Sequence, residues 1–201
     1  MMIKSILLAM FLSILVVGTA DATIAVENFE SYANTAALQA VWTNTGGVAA
    51  TTTLNTDSTQ YMAISANVGN SPWYSVVSRN YNGVDWTGNP TLKIDYRGKT
   101  GTAADGMELE LVNQADWSQK WQSGVWNVPN DSTWYTKTFD ISGVSFLNNV
   151  GPVNIVLKGT TSYGTPTIDV DNLQVVPEPT SLFLLGSGLV GLLGFAKRKR
   201  I

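Results

Sequence analysis

Residues 23–176 predict an all-β fold, an antiparallel β-sandwich or barrel. Three observations carry that reading. Apolar and polar residues alternate with a period of two over ten short segments. Turn chemistry punctuates those segments at short intervals. No helical pattern long enough for a parallel crossover lies between them, so neighbouring strands must run antiparallel and stack as two sheets or close as a barrel. No internal repeat is evident, which disfavours a propeller or solenoid.

In chain order, the predicted strands are Ala25–Phe29, Val48–Leu54, Tyr61–Ala66, Tyr74–Arg79, Thr91–Tyr96, Met107–Val112, Trp121–Trp126, Trp134–Phe139, Val153–Leu157 and Thr167–Val175. Asn82-Gly83, Thr87 to Pro90, Gly98 to Gly106, Pro129 to Asp131, Gly151-Pro152 and Tyr163 to Pro166 read as the turns between them. Asn34 to Val41 is the one helical stretch, with Asn34 as its N-cap ahead of Ala36, Ala37, Leu38 and Ala40.

Composition narrows the chemistry. The chain has no Cys, so packing, with or without a metal ion, must stabilise it. It has no His, which excludes Ser-His-Asp and Cys-His catalysis and a His-based zinc site. Between residues 23 and 176, seven Lys and Arg face thirteen Asp and Glu, a balance near −6 with no basic footprint for nucleic acid.

The two ends read as targeting segments. Lys4, an apolar core from Ile6 to Val17 and small residues at Gly18 to Ala22 form a signal peptide over residues 1–22. Ala20-Asp21-Ala22 places the cut before Thr23, with cleavage after Ala20 as the alternative. At the other end, Val176-Pro177-Glu178-Pro179 precedes an apolar run, Leu182 to Ala196, and a basic stop, Lys197-Arg198-Lys199-Arg200. As a helix, residues 182–196 span roughly 22 Å at ~1.5 Å per residue, short of a hydrocarbon core of ~30 Å. Snorkelling basic side chains extend that reach, which suits a transient transmembrane anchor. Gly186, Gly188, Gly191 and Gly194 leave one side of that helix small. The basic cluster is expected in the cytoplasm and the large domain outside.

The order of box, apolar run and basic stop in residues 177–201 resembles the PEP-CTERM sorting signal of Gram-negative bacteria. The resemblance implies an exosortase as processing partner. It implies an inner-membrane-tethered precursor, a cut near the box, and a final place at the cell surface or outside it, commonly alongside exopolysaccharide.

Four strand phrases resemble the galactose-binding-like jelly roll of many carbohydrate-binding modules. They are Val26 to Tyr32 with Trp42, Thr91 to Gly98, Trp134 to Ser142, and Ile168 to Val175. The resemblance implies a jelly roll and a structural calcium site shared by the first and last strands. Glu30 and Asp171 match its acidic ligands, and Asp169 is a third candidate; oxygen-rich coordination is what Ca²⁺ needs. Asn172 stands where the family often has a second Asp. The same resemblance places Trp42 and Trp134 in the core.

Trp117, Trp121, Trp126 and Trp134 crowd a short polar stretch. Trp117 and Trp121, with Gln119 and Gln122 beside them, are the candidate glycan contacts: aromatic faces stack on sugar rings and amides bond their hydroxyls. Large aromatics also fill strands and cores, so burial competes with this reading. Glu108 and Glu110 share one strand face, flanked by Asp105 and Asp116, and paired carboxylates could hydrolyse a glycoside at the right separation. A solvated strand face explains them as well and is preferred. The expectation is a non-catalytic, glycan-associating component of an exopolysaccharide layer. The alternatives are an adhesive coat protein that binds itself or protein partners, and a glycan hydrolase or lyase.

Overall fold

The computed structural model describes residues 24–67, 72–99, 104–159 and 165–177. The signal peptide and the tail beyond Pro177 lie outside the described residues. Among the described residues no helix is long and apolar enough to cross a membrane.

Ile24–Val176 forms one compact unit made of two antiparallel sheets. Its elements are β1 (Ile24–Glu27), α1 (Thr35–Gln39), β2 (Thr43–Gly47), β3 (Ala50–Thr56), β4 (Gln60–Ala66), β5 (Trp73–Val84), β6 (Thr91–Gly98), β7 (Gly106–Asn113), β8 (Lys120–Gln122), β9 (Trp126–Asn127), β10 (Tyr135–Asp140), a 3₁₀ turn (Leu147–Asn149), β11 (Val150–Gly159) and β12 (Thr167–Val176). One sheet has the order β10-β6-β12-β4-β3, with β1 also on β12. The other has the order β2-β5-β11-β7-β8, with β9 also on β7. We call these the first and second sheets.

Alternation places the core between them. In β6, Leu92, Ile94 and Tyr96 point inward while Lys93, Asp95 and Arg97 point out. In β7, Met107, Leu109 and Leu111 face the same core from the second sheet. Asn34 caps α1 as its sequence suggests, its side chain accepting from the Ala37 N–H at 2.9 Å. The helix covers the outer edge of β3: Gln39 donates to the Thr52 carbonyl and Thr35 accepts from the Leu54 N–H.

Four features differ from the sequence reading, each for a local reason. Asn82-Gly83 and Gly151-Pro152 are not turns. Both dipeptides lie within strands, β5 and β11, and face each other where the ladder shifts register between Val150 and Pro152. Positive φ at Asn82 and Gly83 makes a bulge, and the shift accommodates a proline without an N–H. The single strand expected at Trp121–Trp126 is two short pieces, β8 and β9, broken at Gly124, whose φ is +71°. β2 was not anticipated, because Thr43-Asn44-Thr45-Gly46-Gly47 carries turn residues and only half of an edge pairing.

The end of β1 is locked by a buried polar network. Glu27, 4% exposed, accepts from the Phe29 N–H at 2.9 Å, the Tyr32 hydroxyl at 2.8 Å and the Trp42 indole N–H at 3.3 Å. It also pairs with Arg79 of β5. This joins the first sheet to the second and holds Phe29 at φ +62°, a conformation that bulky residues rarely adopt. Burial and the neighbouring Glu27 carboxylate push the Tyr32 hydroxyl well above its usual range.

Candidate functional site

The outer face of the second sheet forms a groove of about 960 Å³, within the size range of small-ligand clefts. Even-numbered residues of β5, β7 and β11 point into it, because their odd-numbered neighbours are committed to the core. The register then sets side chains in rows across the strands. One row runs Thr43, Ser78, Asn154, Glu110, Gln122 through β2, β5, β11, β7 and β8. Four strand gaps at ~4.8 Å make it roughly 19 Å long, room for several sugar rings.

That row is hydrogen-bonded along much of its length. Ser78 donates to Asn154 at 2.7 Å, Asn154 donates to Glu110 Oε2 at 2.8 Å, and Gln122 donates to Glu110 Oε1 at 2.7 Å. Lys120 stands 3.7 Å from the same carboxylate. Burial pushes the Glu110 carboxyl up, but the bonds from Asn154 and Gln122 and the charge of Lys120 outweigh it and hold the group below its ordinary value. One row away Glu108 pairs with Lys158. The floor therefore carries two carboxylates matched by two ammonium groups.

Apolar surface flanks the polar row: Val76 and Val156 on one side, Pro152 and Val112 on the other. Two aromatics stand at opposite ends. Tyr74 lies in the row of Lys158 and is 53% exposed, and Trp117 on the β7–β8 turn is 60% exposed. The turn presents Trp117 by bonding to itself. Asp116 accepts from the Ser118 N–H at 3.0 Å, the Ser118 hydroxyl at 2.6 Å and the Gln119 amide at 3.1 Å. Gln119 in turn accepts from Asn113. These bonds from Ser118 hold the Asp116 carboxyl below its usual value.

The four candidate glycan contacts separate. Trp117 lines the groove. Gln122 reaches its floor through Glu110, while Gln119 braces the turn beneath Trp117. Trp121 does not reach the groove. Its neighbours Lys120 and Gln122 take the outward positions of β8, and its ring packs edge-on against Phe139 at 5.9 Å, on the core side. Trp134 departs from its expected core position in the opposite sense. It stands half-buried on the outer face of the first sheet, where the Arg97 guanidinium lies 4.5 Å from its ring and 4.9 Å from that of Tyr61. Ser78, Asn154, Lys120 and Lys158 were not singled out from sequence. Only the strand order brings them together.

The candidate metal ligands also divide. Asp169 is held by Arg97, whose Nε and Nη2 donate to its Oδ2 at 2.9 and 2.7 Å. Glu30 and Asp171 converge through β4 and the turn before it: Gln60 N–H donates to Glu30 at 2.8 Å and the Thr59 hydroxyl donates to Asp171 at 3.3 Å. Burial, with Asp95 and Glu30 nearby, pushes the Asp171 carboxyl up to about 6. Among the described residues none of Glu30, Asp95 and Asp171 forms an ion pair, and no group of three or more His, Cys, Asp or Glu is placed to hold a metal ion.

Comparison with known proteins adds two findings. Residues 175–200 match the PEP-CTERM protein-sorting motif. That motif marks the chain for export, with processing at a membrane-anchored C-terminus and a destination at the surface or outside the cell. The fold is that of carbohydrate-binding modules. A family 11 carbohydrate-binding module of a cellulosomal cellulase from Clostridium thermocellum aligns at TM-score 0.54 and 16% identity, covering 79% of this chain and 96% of that one. The family 11 module from Clostridium thermocellum in complex with a β-1,3-1,4-mixed-linked tetrasaccharide aligns at TM-score 0.53 and 16% identity, covering 77% and 94%. An exo-β-agarase aligns at TM-score 0.57 and 12% identity, covering 77% of this chain but 25% of the agarase. No curated protein matches the chain.

Proposed function

We propose that the sandwich is a non-catalytic glycan-binding component of an extracellular polysaccharide layer, and that it takes a sugar chain in the groove of the second sheet. The observation that carries this is the pairing of two exposed aromatics, Tyr74 and Trp117, with a polar row set in apolar flanks. Aromatic faces and apolar flanks suit the C–H faces of sugar rings, and the remaining lone pairs and N–H groups of the row suit their hydroxyls. The structural neighbours include carbohydrate-binding modules, one of them solved with an oligosaccharide, which supports the same reading.

A hydrolase fits the groove less well. A glycosidase needs one protonated carboxylic acid near neutral pH. Here Glu110 is held ionised by its donors and Glu108 is paired with Lys158. With floor charges matched, the groove shows no cationic patch for a polyuronate among the described residues, so we assign it an uncharged or weakly charged chain.

The test is retention of the processed protein on the producer's own polysaccharide by affinity electrophoresis. Trp117→Ala and Tyr74→Ala should each weaken retention roughly tenfold, equivalent to about 1.4 kcal/mol, with an unchanged far-UV spectrum. Trp121→Ala should instead lower the melting temperature, because its ring belongs to the seam with Phe139. If neither groove variant alters retention, or no polysaccharide retains the parent protein, the glycan reading fails and an adhesive coat protein replaces it.

We also propose a structural calcium ion at Glu30 and Asp171. The site fits in charge: the buried Asp171 and the exposed Glu30 converge there without an ionic partner among the described residues. Calcium would supply that charge and fasten the turn after β1 to the last strand. Asp169, already held by Arg97, is left out of the ligand set.

A further inference from the structure

We propose that β12 withholds its own end from the sorting protease, so that the chain is cut beyond Pro179 and the sandwich is released with every strand intact. This rests on processing at the sorting motif and is independent of glycan binding. The motif begins at residue 175, whereas β12 continues to Val176, so the first two residues of the signal are the last two of a core strand.

Val175 is occupied on both sides and Val176 on one. Val175 is 0% exposed and is paired with Leu92 of β6 and Ile24 of β1. Val176 is paired with Thr91, and Leu173, also buried, lies opposite Glu27. A protease binds its substrate as an extended segment on both sides of the scissile bond, with backbone N–H and C=O groups free to bond the enzyme. Cutting Val176–Pro177 or Pro177–Glu178 requires residues 173–176 in that extended cleft. They would have to leave two neighbouring strands and expose Leu173 and Val175 to water. The population so opened is small, and cleavage of an opened state scales with that population.

Proline chemistry removes other bonds. Val176–Pro177 and Glu178–Pro179 are tertiary amides whose leaving nitrogen is locked in a ring, a poor fit for a protease that handles secondary amides. This leaves Pro179–Thr180, Thr180–Ser181 and Ser181–Leu182, ahead of the apolar run. In the step itself the C–N bond breaks. The acyl carbon passes to the protease nucleophile and then to water or to a primary amine. The nitrogen takes up a proton and becomes the N-terminus of the departing tail.

The test uses the full chain, co-produced with an exosortase in an exporting host and recovered after processing. Tryptic digestion releases the C-terminal peptide that begins after Lys158, and its mass identifies the last residue. The expected peptide ends at Pro179, Thr180 or Ser181, as a free acid or with the mass of an attached amine. A peptide ending at Glu178 or earlier overturns the inference but leaves sorting intact. A peptide running into the basic stop shows no processing and overturns both. A short Gly-Ser insert between Val176 and Pro177, which leaves the Pro177-Glu178-Pro179 box whole, gives an independent readout. It should be retained in the mature C-terminal peptide, and its loss would place the cut inside or against β12.

Discussion

Glu27→Ala should lower the melting temperature by roughly 10 °C, the largest effect expected of any single substitution outside the hydrophobic core. The carboxylate is the common acceptor for Phe29, Tyr32 and Trp42 and the ionic partner of Arg79. Removing one member of a buried ion pair costs about 3–5 kcal/mol, because the partners are left without it. In a domain of this size each kcal/mol moves the midpoint by roughly 2–4 °C. Two further losses act in the same direction. Phe29 keeps its positive φ against local preference, and the Glu27–Phe29 bond helps fix it. Arg79, also stacked 4.5 Å from the Tyr81 ring, would face the Tyr32 hydroxyl with no anion to balance it. Glu27→Gln should fall between parent and Ala, because one amide oxygen can still accept while the charge is gone. Calorimetry of the three proteins decides the matter. A Glu27→Ala midpoint within about 2 °C of the parent, on the same scale, would show that the network is bystander structure.

Glu27 also shows where sequence reading stops. It lies in the opening phrase from Val26 to Tyr32, which points to the fold, yet nothing in its spacing marks it as the acceptor for four groups. Two of those groups, Trp42 and Arg79, come from outside that phrase. Local pattern performs well where one strand decides its own faces, as in β6, whose alternation is visible residue by residue. It fails where two strands decide together. Asn82-Gly83 and Gly151-Pro152 have the chemistry of turns, and only their pairing across the β5–β11 ladder turns them into matched bulges.

The groove belongs to the second kind. Ser78, Asn154, Glu110 and Gln122 come from four strands and form one row only through the order β5-β11-β7-β8. The Trp cluster was legible as a cluster but not as a surface. One residue of displacement along a strand changes the face, so Trp121 packs inward while Lys120 and Gln122 point out. Trp117 escapes this ambiguity because it sits on a turn, where no core face competes for its ring.

At pH 7 calcium should raise the melting temperature relative to chelator, and the pH dependence should change sign with the ion. The Asp171 carboxyl is raised to about 6, by burial first and then by Asp95 and Glu30, against about 3.9 in an unfolded chain. Folding then favours its protonated form. In chelator its contribution is fully present below pH ~4 and is lost as pH rises through about 6, at a cost of about 3 kcal/mol or roughly 9 °C. A cation held by Glu30 and Asp171 reverses that logic, since it binds the ionised carboxylates and gains affinity as they deprotonate. At a hundredfold excess over its dissociation constant it would contribute about 2.7 kcal/mol. Asp171→Asn separates the two effects. It removes the buried charge, so in chelator at pH 7 it should melt higher than the parent, and calcium should no longer stabilise it. The amide oxygen can keep the bond from the Asn172 N–H, which goes to Oδ1, while the Thr59 hydroxyl, which donates to Oδ2, can turn to accept from the new amide NH₂. Equal midpoints for the parent in calcium and in chelator would remove the ion from the fold. The three acidic side chains would then be a liability that the sandwich carries at neutral pH, offset by packing elsewhere.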